Sequence, residues 1–412
     1  MKHDLNLIHL PKEVICQVLC LLSYKELMIL TKVSKTWSEL AMDPWLWRKF
    51  QLQVNGSNLD SLERILSMQR FGSISYLCCL HCELEEKHLR EIFNHRSIKQ
   101  VEFIGCDLML IGPEILAMTV NKLVSVSLSL KVGTKLSTAQ KIQMLTPHQT
   151  KILEQLELLC IDLSDVPASV LALAIDNLHT LTLKGNNLKR NQANELFSAL
   201  RDCSVMEHLT IISNILTRVP PDDLAKTVNR LCCVELVRCK LHPSQISAML
   251  QEIIQGTKLR ELNLKFTDMS SIRPGVIGSA LTRLNKINIS GCRLSKEQNI
   301  TIFEILAGNM QLHTLQYLDI SKNDLSEVPC KDLTDVITNL KQADVAHTNL
   351  KKSQILILLK STSQMSKLEY LNIKGNCNTT LSPQLYSSVA KKVNHFYYQM
   401  ESLHIYGKGA GK

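Results

Sequence analysis

The sequence has few aromatic residues, no long apolar run and no block of basic charge, and each shortage removes a class of protein. Aromatics make up 5% of the 412 residues, and Lys and Arg, although they outnumber Asp and Glu by 47 to 38, are dispersed along the chain. A nucleic-acid binder concentrates its basic residues in a patch with stacking aromatics between them, so no nucleic-acid partner is expected. No segment approaches the roughly 18 uninterrupted apolar residues of a bilayer span, so no membrane association is expected either. The opening stretch breaks its apolar residues with His9, Lys12 and Glu13 and lacks the form of a secretory leader. The expectation is a cytoplasmic or nuclear protein whose 14 cysteines stay reduced.

Motifs that carry chemistry are missing as well. There is no His-Glu-x-x-His, no Gly-x-Ser-x-Gly and no dinucleotide-binding glycine fingerprint, and the 13 histidines stand singly. The ending GKGAGK, residues 407–412, imitates a phosphate loop only in composition. Such a loop would need glycine where Tyr406 stands and a hydroxyl after Lys412, so 407–412 reads as a flexible tail. In YLCCLHCEL, residues 76–84, a strand would send Cys78 and Cys79 to opposite faces. Only Cys78 and His81 could share a face, too few for tetrahedral zinc. No catalytic residue, metal site or cofactor is expected.

What the chain does have is a repeat. Apolar residues recur at i, i+3, i+5 and i+10, with Asn or Cys at i+8, in ISYLCCLHCEL from Ile74, IKQVEFIGCDL from Ile98, LHTLTLKGNNL from Leu178, LCCVELVRCKL from Leu231, LNKINISGCRL from Leu284 and LQYLDISKNDL from Leu315. Weaker copies start at Leu123, Leu153, Met206, Leu259, Leu340, Leu368 and Met400, about 13 in all. Each copy opens as a short alternating strand and continues into a helix-period stretch. One repeat cannot stand alone: three buried apolar side chains contribute ~6 kcal/mol, against a cost on the order of 30 kcal/mol for ordering 25 residues. Stacked copies share one core and one parallel sheet.

Long and short units alternate. One class carries a proline at 113, 167, 220, 274, 329 and 383, which suits a helix start; the other carries a glutamine at 192, 245, 298 and 354. The true unit is therefore a two-repeat block. The frame resembles the leucine-rich repeat, and units of this length resemble its ribonuclease-inhibitor type. That resemblance implies an α/β fold over residues 74–406, curved into a horseshoe with parallel strands on the concave side and helices on the convex side.

Residues 5–50 lack the strand frame and have a helical period: Pro11 with Glu13 marks a helix start, Val14, Val18 and Leu22 share a face, and Leu27, Leu30 and Val33 define a second helix before a third at 34–40. Leu10-Pro11-Lys12-Glu13, Leu22, Leu27, Val33-Ser34-Lys35-Thr36-Trp37 and Asp43-Pro44-Trp45-Leu46-Trp47 together resemble the F-box. Residues 51–73 are expected to be a helical linker or repeat cap. The resemblance implies a substrate-recognition subunit of an SCF-type ubiquitin ligase. Its F-box would dock a Skp-family adaptor, and through it a cullin and a RING subunit, by way of Leu10, Pro11, Val14, Val18, Leu22, Leu27, Val33 and Trp37. The alternative is an interaction scaffold that binds the adaptor without a cullin.

Within the repeats, period two sends i+2, i+4 and i+6 out of the core. The outward rows and the turn positions beside them hold acids (Glu157, Glu235, Asp319), bases (Lys184, Arg238, Lys265, Lys322) and aromatics (Phe266, Tyr317, Tyr370, Tyr406). These are the candidate contacts to a protein substrate.

Overall fold

The computed structural model describes residues 10–146, 152–309, 314–364, 367–377 and 382–398. The chain divides into two compact units, Met1–Ala199 and Leu200–Lys412.

The first unit opens with four short helices, each started by a recognisable cap. Pro11 precedes α1 (Lys12–Leu19), whose first turn carries Glu13. Ser23 begins α2 (Tyr24–Leu30) in a capping box, its own N–H donating to Glu26 Oε2 at 2.7 Å. The Ser34 hydroxyl caps α3 (Lys35–Ala41) by accepting from the Trp37 N–H at 3.3 Å. Asp43 Oδ1 caps α4 (Pro44–Trp47) by accepting from the Trp45 N–H at 2.9 Å. Their shared core consists of Leu19, Leu27, Leu40, Ala41, Leu46 and Trp47.

Six parallel strands follow in sequence order: β1 (Gln51–Asn55), β2 (Tyr76–Leu80), β3 (Gln100–Cys106), β4 (Ser125–Leu130), β5 (Gln155–Leu159) and β6 (Thr180–Lys184). The second unit continues the pattern with β7 (His208–Ile212), β8 (Cys233–Val237), β9 (Glu261–Asn263), β10 (Lys286–Asn288), β11 (Tyr317–Asp319), β12 (Gln342–Asp344), β13 (Tyr370–Asn372) and β14 (His395–Tyr397), each parallel to the next. The same frame position pairs in neighbouring strands, so Val234 lies beside Leu262 and Leu318 beside Ala343. Strands β2 to β13 thereby bury their i+3 and i+5 residues in the core of their unit. Each unit has the leucine-rich-repeat arrangement of parallel strands alternating with helices.

Three recurring features join consecutive repeats. At i+8, Asn323 Nδ2 donates to the carbonyls of Ile289 and Ile320, and the Cys239 and Cys292 thiols lie 3.1 and 3.2 Å from the carbonyls of Ile211 and Leu264. At i+7 the backbone is left-handed, with φ of 55° at Arg238, 60° at Phe266 and Lys322, and 62° at Gly291. That conformation turns the chain out of the strand. The third feature joins the two repeat classes. Gln140, Gln192, Gln245, Gln298 and Gln354 each accept from the backbone N–H that opens their own helix. Each also donates Nε2 to two carbonyls of the preceding repeat, among them Ile111, Val166, Val219, Ile272 and Val328. Those carbonyls stand just ahead of the prolines that open or immediately precede the next helix. The two-repeat block is thus one proline turn fastened by one glutamine.

The structure departs from the sequence reading at both ends of the repeat array. A strand, β1, lies in the segment 51–73, where a helical linker or cap was expected. Its frame is half filled: Val54 and Leu59 are buried, but Lys49 occupies the i position and Ser57 the i+8 position. Among the described residues the last strand is at His395–Tyr397, in a copy that starts at Val393 and was not expected; the copy expected from Met400 lies outside the described residues. Helix Pro383–Lys392 ends directly before Val393, whose side chain is buried, and Tyr370 pairs with His395. Val393 stands 25 residues after Leu368, the length of the other short units.

Candidate protein-interaction surfaces

Two surfaces of different chemistry are exposed. The first lies on the N-terminal helices. Val14 and Val18 on α1 are 39% and 43% exposed and Val33, beyond α2, is 59% exposed, while Pro11 is also at the surface. Leu10, Leu22 and Trp37 are half-buried, and Leu27 is fully buried in the helical core. The expected contact set therefore contains one residue that only packs internally. Two exposed apolar residues were missed in sequence: Leu21 at 85% and Ile29 at 63%. Their signal was present, because Val14, Val18 and Leu21 follow i, i+4, i+7 and Ile29 precedes Val33 by four.

The second surface is the face of the sheet that carries the i+2 and i+4 side chains. In the first unit, Glu157 on β5 accepts from the Ser127 hydroxyl at 2.7 Å, and both border a depression of about 230 Å³ with Tyr76 and Glu102. Lys184 ends β6 at the surface.

In the second unit a depression of about 370 Å³ is lined by Glu235, Asn263, Lys286 and Tyr317 among others. Its carboxylates are engaged by neighbours: Glu235 accepts from Asn263 Nδ2 at 3.0 Å and Glu261 pairs with Lys286 at 2.6 Å; farther along the sheet Asp344 accepts from Asn372 Nδ2 at 2.8 Å. Asp319 accepts from the N–H and hydroxyl of Ser321 at 3.0 and 2.6 Å. Burial, reinforced by Asp344, still raises the Asp319 carboxyl above its ordinary value despite those bonds. Burial first, and then the Asp344 and Tyr397 charges, push the Tyr370 phenol up to about 12, and its ring lies 5.6 Å from that of Tyr397. Burial raises the Tyr317 phenol as well, followed by the charges of Asp319 and Asp344.

Beside this floor, at the C-terminal ends of the strands, Phe266 is surrounded by cations. The Arg238 guanidinium lies 4.5 Å from the ring centroid, with Lys265 Nζ at 5.4 Å and Lys322 Nζ at 5.3 Å. The structure thus gathers Glu235, Arg238, Lys265, Phe266, Tyr317, Asp319, Lys322 and Tyr370 in one unit. Glu157 and Lys184 belong to the other unit, and Tyr406 lies outside the described residues.

The family profile described as F-box-like matches residues 7–53. Residues 7–53 are an F-box-like domain. Among curated proteins, none matches the chain. A solved structure similar to it is a chain of the Rad7 and Elc1 complex in yeast, with 16% identity; the match covers 88% of this chain and 96% of that one at a TM-score of 0.54. Another is a chain of the TLR13–ssRNA13 complex, with 14% identity, 85% of this chain covered and a TM-score of 0.45. This chain spans about half (54%) of that one.

The F-box-like domain is locked to the first repeat by aromatic packing. Trp47 is fully buried, donates Nε1–H to the Ala41 carbonyl at 2.8 Å and meets the Phe71 ring edge-on at 5.6 Å. The Arg70 guanidinium covers both rings, and Lys49 donates to the carbonyls of Cys20 and Leu22 beyond α1. These contacts fix the F-box-like helices relative to β1.

Proposed function

We propose that this protein is the substrate-recognition subunit of an SCF-type ubiquitin ligase. Its F-box-like domain docks a Skp-family adaptor, which links it to a cullin and a RING subunit, and its repeats hold a protein substrate. The observation that carries the reading is the exposed apolar ridge of Val14, Val18, Leu21, Ile29 and Val33 on a domain of the F-box-like family. A soluble domain of this size gains by covering such a ridge with a partner helix. The similarity to a chain crystallised in a two-protein complex, Rad7 with Elc1, agrees with a role in assembly. The chain supplies proximity and orientation: a substrate held on the repeats presents its lysines to a ubiquitin-loaded enzyme as an intramolecular neighbour.

The test is co-purification of full-length chain with adaptor, cullin and RING subunit from cells, wild type against Val14→Asp with Val18→Asp. All three partners are expected with the wild type and none with the variant. Adaptor without cullin in the wild type would replace this reading with that of a scaffold.

A further inference from the structure

The cations around Phe266 have no carboxylate partner, unlike two basic residues of the neighbouring repeat. Arg293 pairs with Asp268 at 3.1 Å and Lys286 with Glu261 at 2.6 Å, whereas among the described residues Arg238, Lys265 and Lys322 have no carboxylate within 4.0 Å. The nearby acids are already held, Glu235 by Asn263 and Asp319 by Ser321. Three like charges around one ring repel one another, and the cation–π attraction of each offsets this only in part.

The backbone builds the cluster. Arg238, Phe266, Gly291 and Lys322 are the i+7 residues of four successive repeats, all left-handed. A Cβ on Gly291 would lie 2.7 Å from Phe266 Cδ1, so the absent side chain is what lets the ring lie across that repeat towards Lys322. The result is a half-buried apolar ring with three cations within 5.4 Å of its centroid.

We infer that this cluster is the anion-recognition subsite for an acidic peptide segment of the protein substrate, taking a carboxylate or phosphate between Arg238 and Lys322 and an adjacent apolar side chain on Phe266. The inference rests on the proposed reading of the sheet face as substrate-binding. Charge complementarity favours a peptide over a nucleic acid. One ring offers no run of stacking platforms, and the neighbouring floor of Glu235 and Asp344 repels a continuous polyanion but accepts a peptide whose charges alternate.

Fluorescence anisotropy with the full-length chain tests this, using three labelled probes: a peptide repeating Lys-Leu-Glu-Leu, the same peptide with phosphoserine for Glu, and single-stranded RNA of equal length. Arg238→Asn with Lys322→Asn removes both charges and keeps residues that tolerate left-handed backbone. Both peptides are expected to bind, more weakly as salt rises, and the double variant should lose about tenfold or more in affinity, as for one well-placed ion pair. Phe266→Leu, equally strained in backbone, should lose affinity for the Leu-bearing peptides. The tighter of the two peptides identifies carboxylate or phosphate as the preferred anion. Peptide binding that is absent, or unchanged in the double variant, overturns the subsite, as does tighter binding of RNA than of either peptide. Adaptor co-purification, read separately on the same preparations, should be unaffected. A preparation that binds peptide but captures no adaptor removes the ligase reading and leaves the subsite standing.

Discussion

Gln245 donates from Nε2 to the carbonyl oxygen of Val219, one repeat earlier, at 2.6 Å. The same nitrogen reaches the Leu216 carbonyl at 2.8 Å while Oε1 accepts from the His242 N–H, so one side chain satisfies three buried backbone groups. Gln245→Leu keeps the volume and strands all three. A loss of about 2–4 kcal/mol is expected, visible as a lower urea midpoint, and equivalent substitutions at Gln192, Gln298 and Gln354 should behave alike. A loss confined to a few tenths would mean that water replaces the amide.

Two substitutions in the F-box-like domain should separate docking from folding. Val18→Asp places a charge on an exposed residue and should leave the thermal midpoint nearly unchanged while reducing adaptor capture by tenfold or more. Leu27→Ala empties a fully buried site and should cost about 2–5 kcal/mol, lowering the helical transition itself. Circular dichroism and adaptor pull-down on the same samples check both.

The ladder cysteines should be inert in the native state. Burial pushes the thiols of Cys106, Cys239 and Cys292 up to about 12, so almost no thiolate is present at pH 8. Cys160 and Cys377 are exposed and should react with a chromogenic disulfide reagent first, the ladder thiols only on unfolding. Rapid native labelling of Cys239, read by mass spectrometry, would contradict the tight stacking of its repeats.

Asp319 should weaken the fold at neutral pH. Its folded-state value is raised above the ordinary one, so the folded protein binds its proton more tightly than the unfolded chain does. Its contribution to stability therefore falls as pH rises through and above the ordinary carboxyl range. Asp319→Asn retains an oxygen to accept from Ser321 and should be more stable than wild type at pH 7. The difference should vanish where the carboxyl is protonated in both states. Urea midpoints across that pH range decide it, and an unchanged midpoint at pH 7 would show the carboxylate to be better solvated than its burial indicates.

Much of the fold was legible because it is periodic. The i, i+3, i+5, i+10 frame reads directly as alternation out of and into a core, and its copies from Ile74 to Leu368 fall on strands. The frame failed where its residues thin out: β1 carries Lys49 in place of an apolar start, and the copy from Val393 has His395 and Tyr397 on its strand with Phe396 only half-buried. The F-box-like helices were legible from Pro11, Ser34 and Asp43, whose caps act within a few residues. Leu27 was not, since helical period says which residues share a face and not whether that face meets solvent or a neighbour.

By itself the sequence determined that repeats must stack, that they come in pairs and that a separate helical segment precedes them, because local period and the shortfall of one repeat's core require it. Only the tertiary structure decided what pairs them and where charge is left over. The glutamines reach carbonyls 26 to 29 residues earlier, and Arg238, Phe266 and Lys322 meet although 84 residues separate the first from the last (322 − 238). Contacts of that separation depend on the register of one repeat on the next, and register is fixed by the packing of whole repeats rather than by any single stretch of chain.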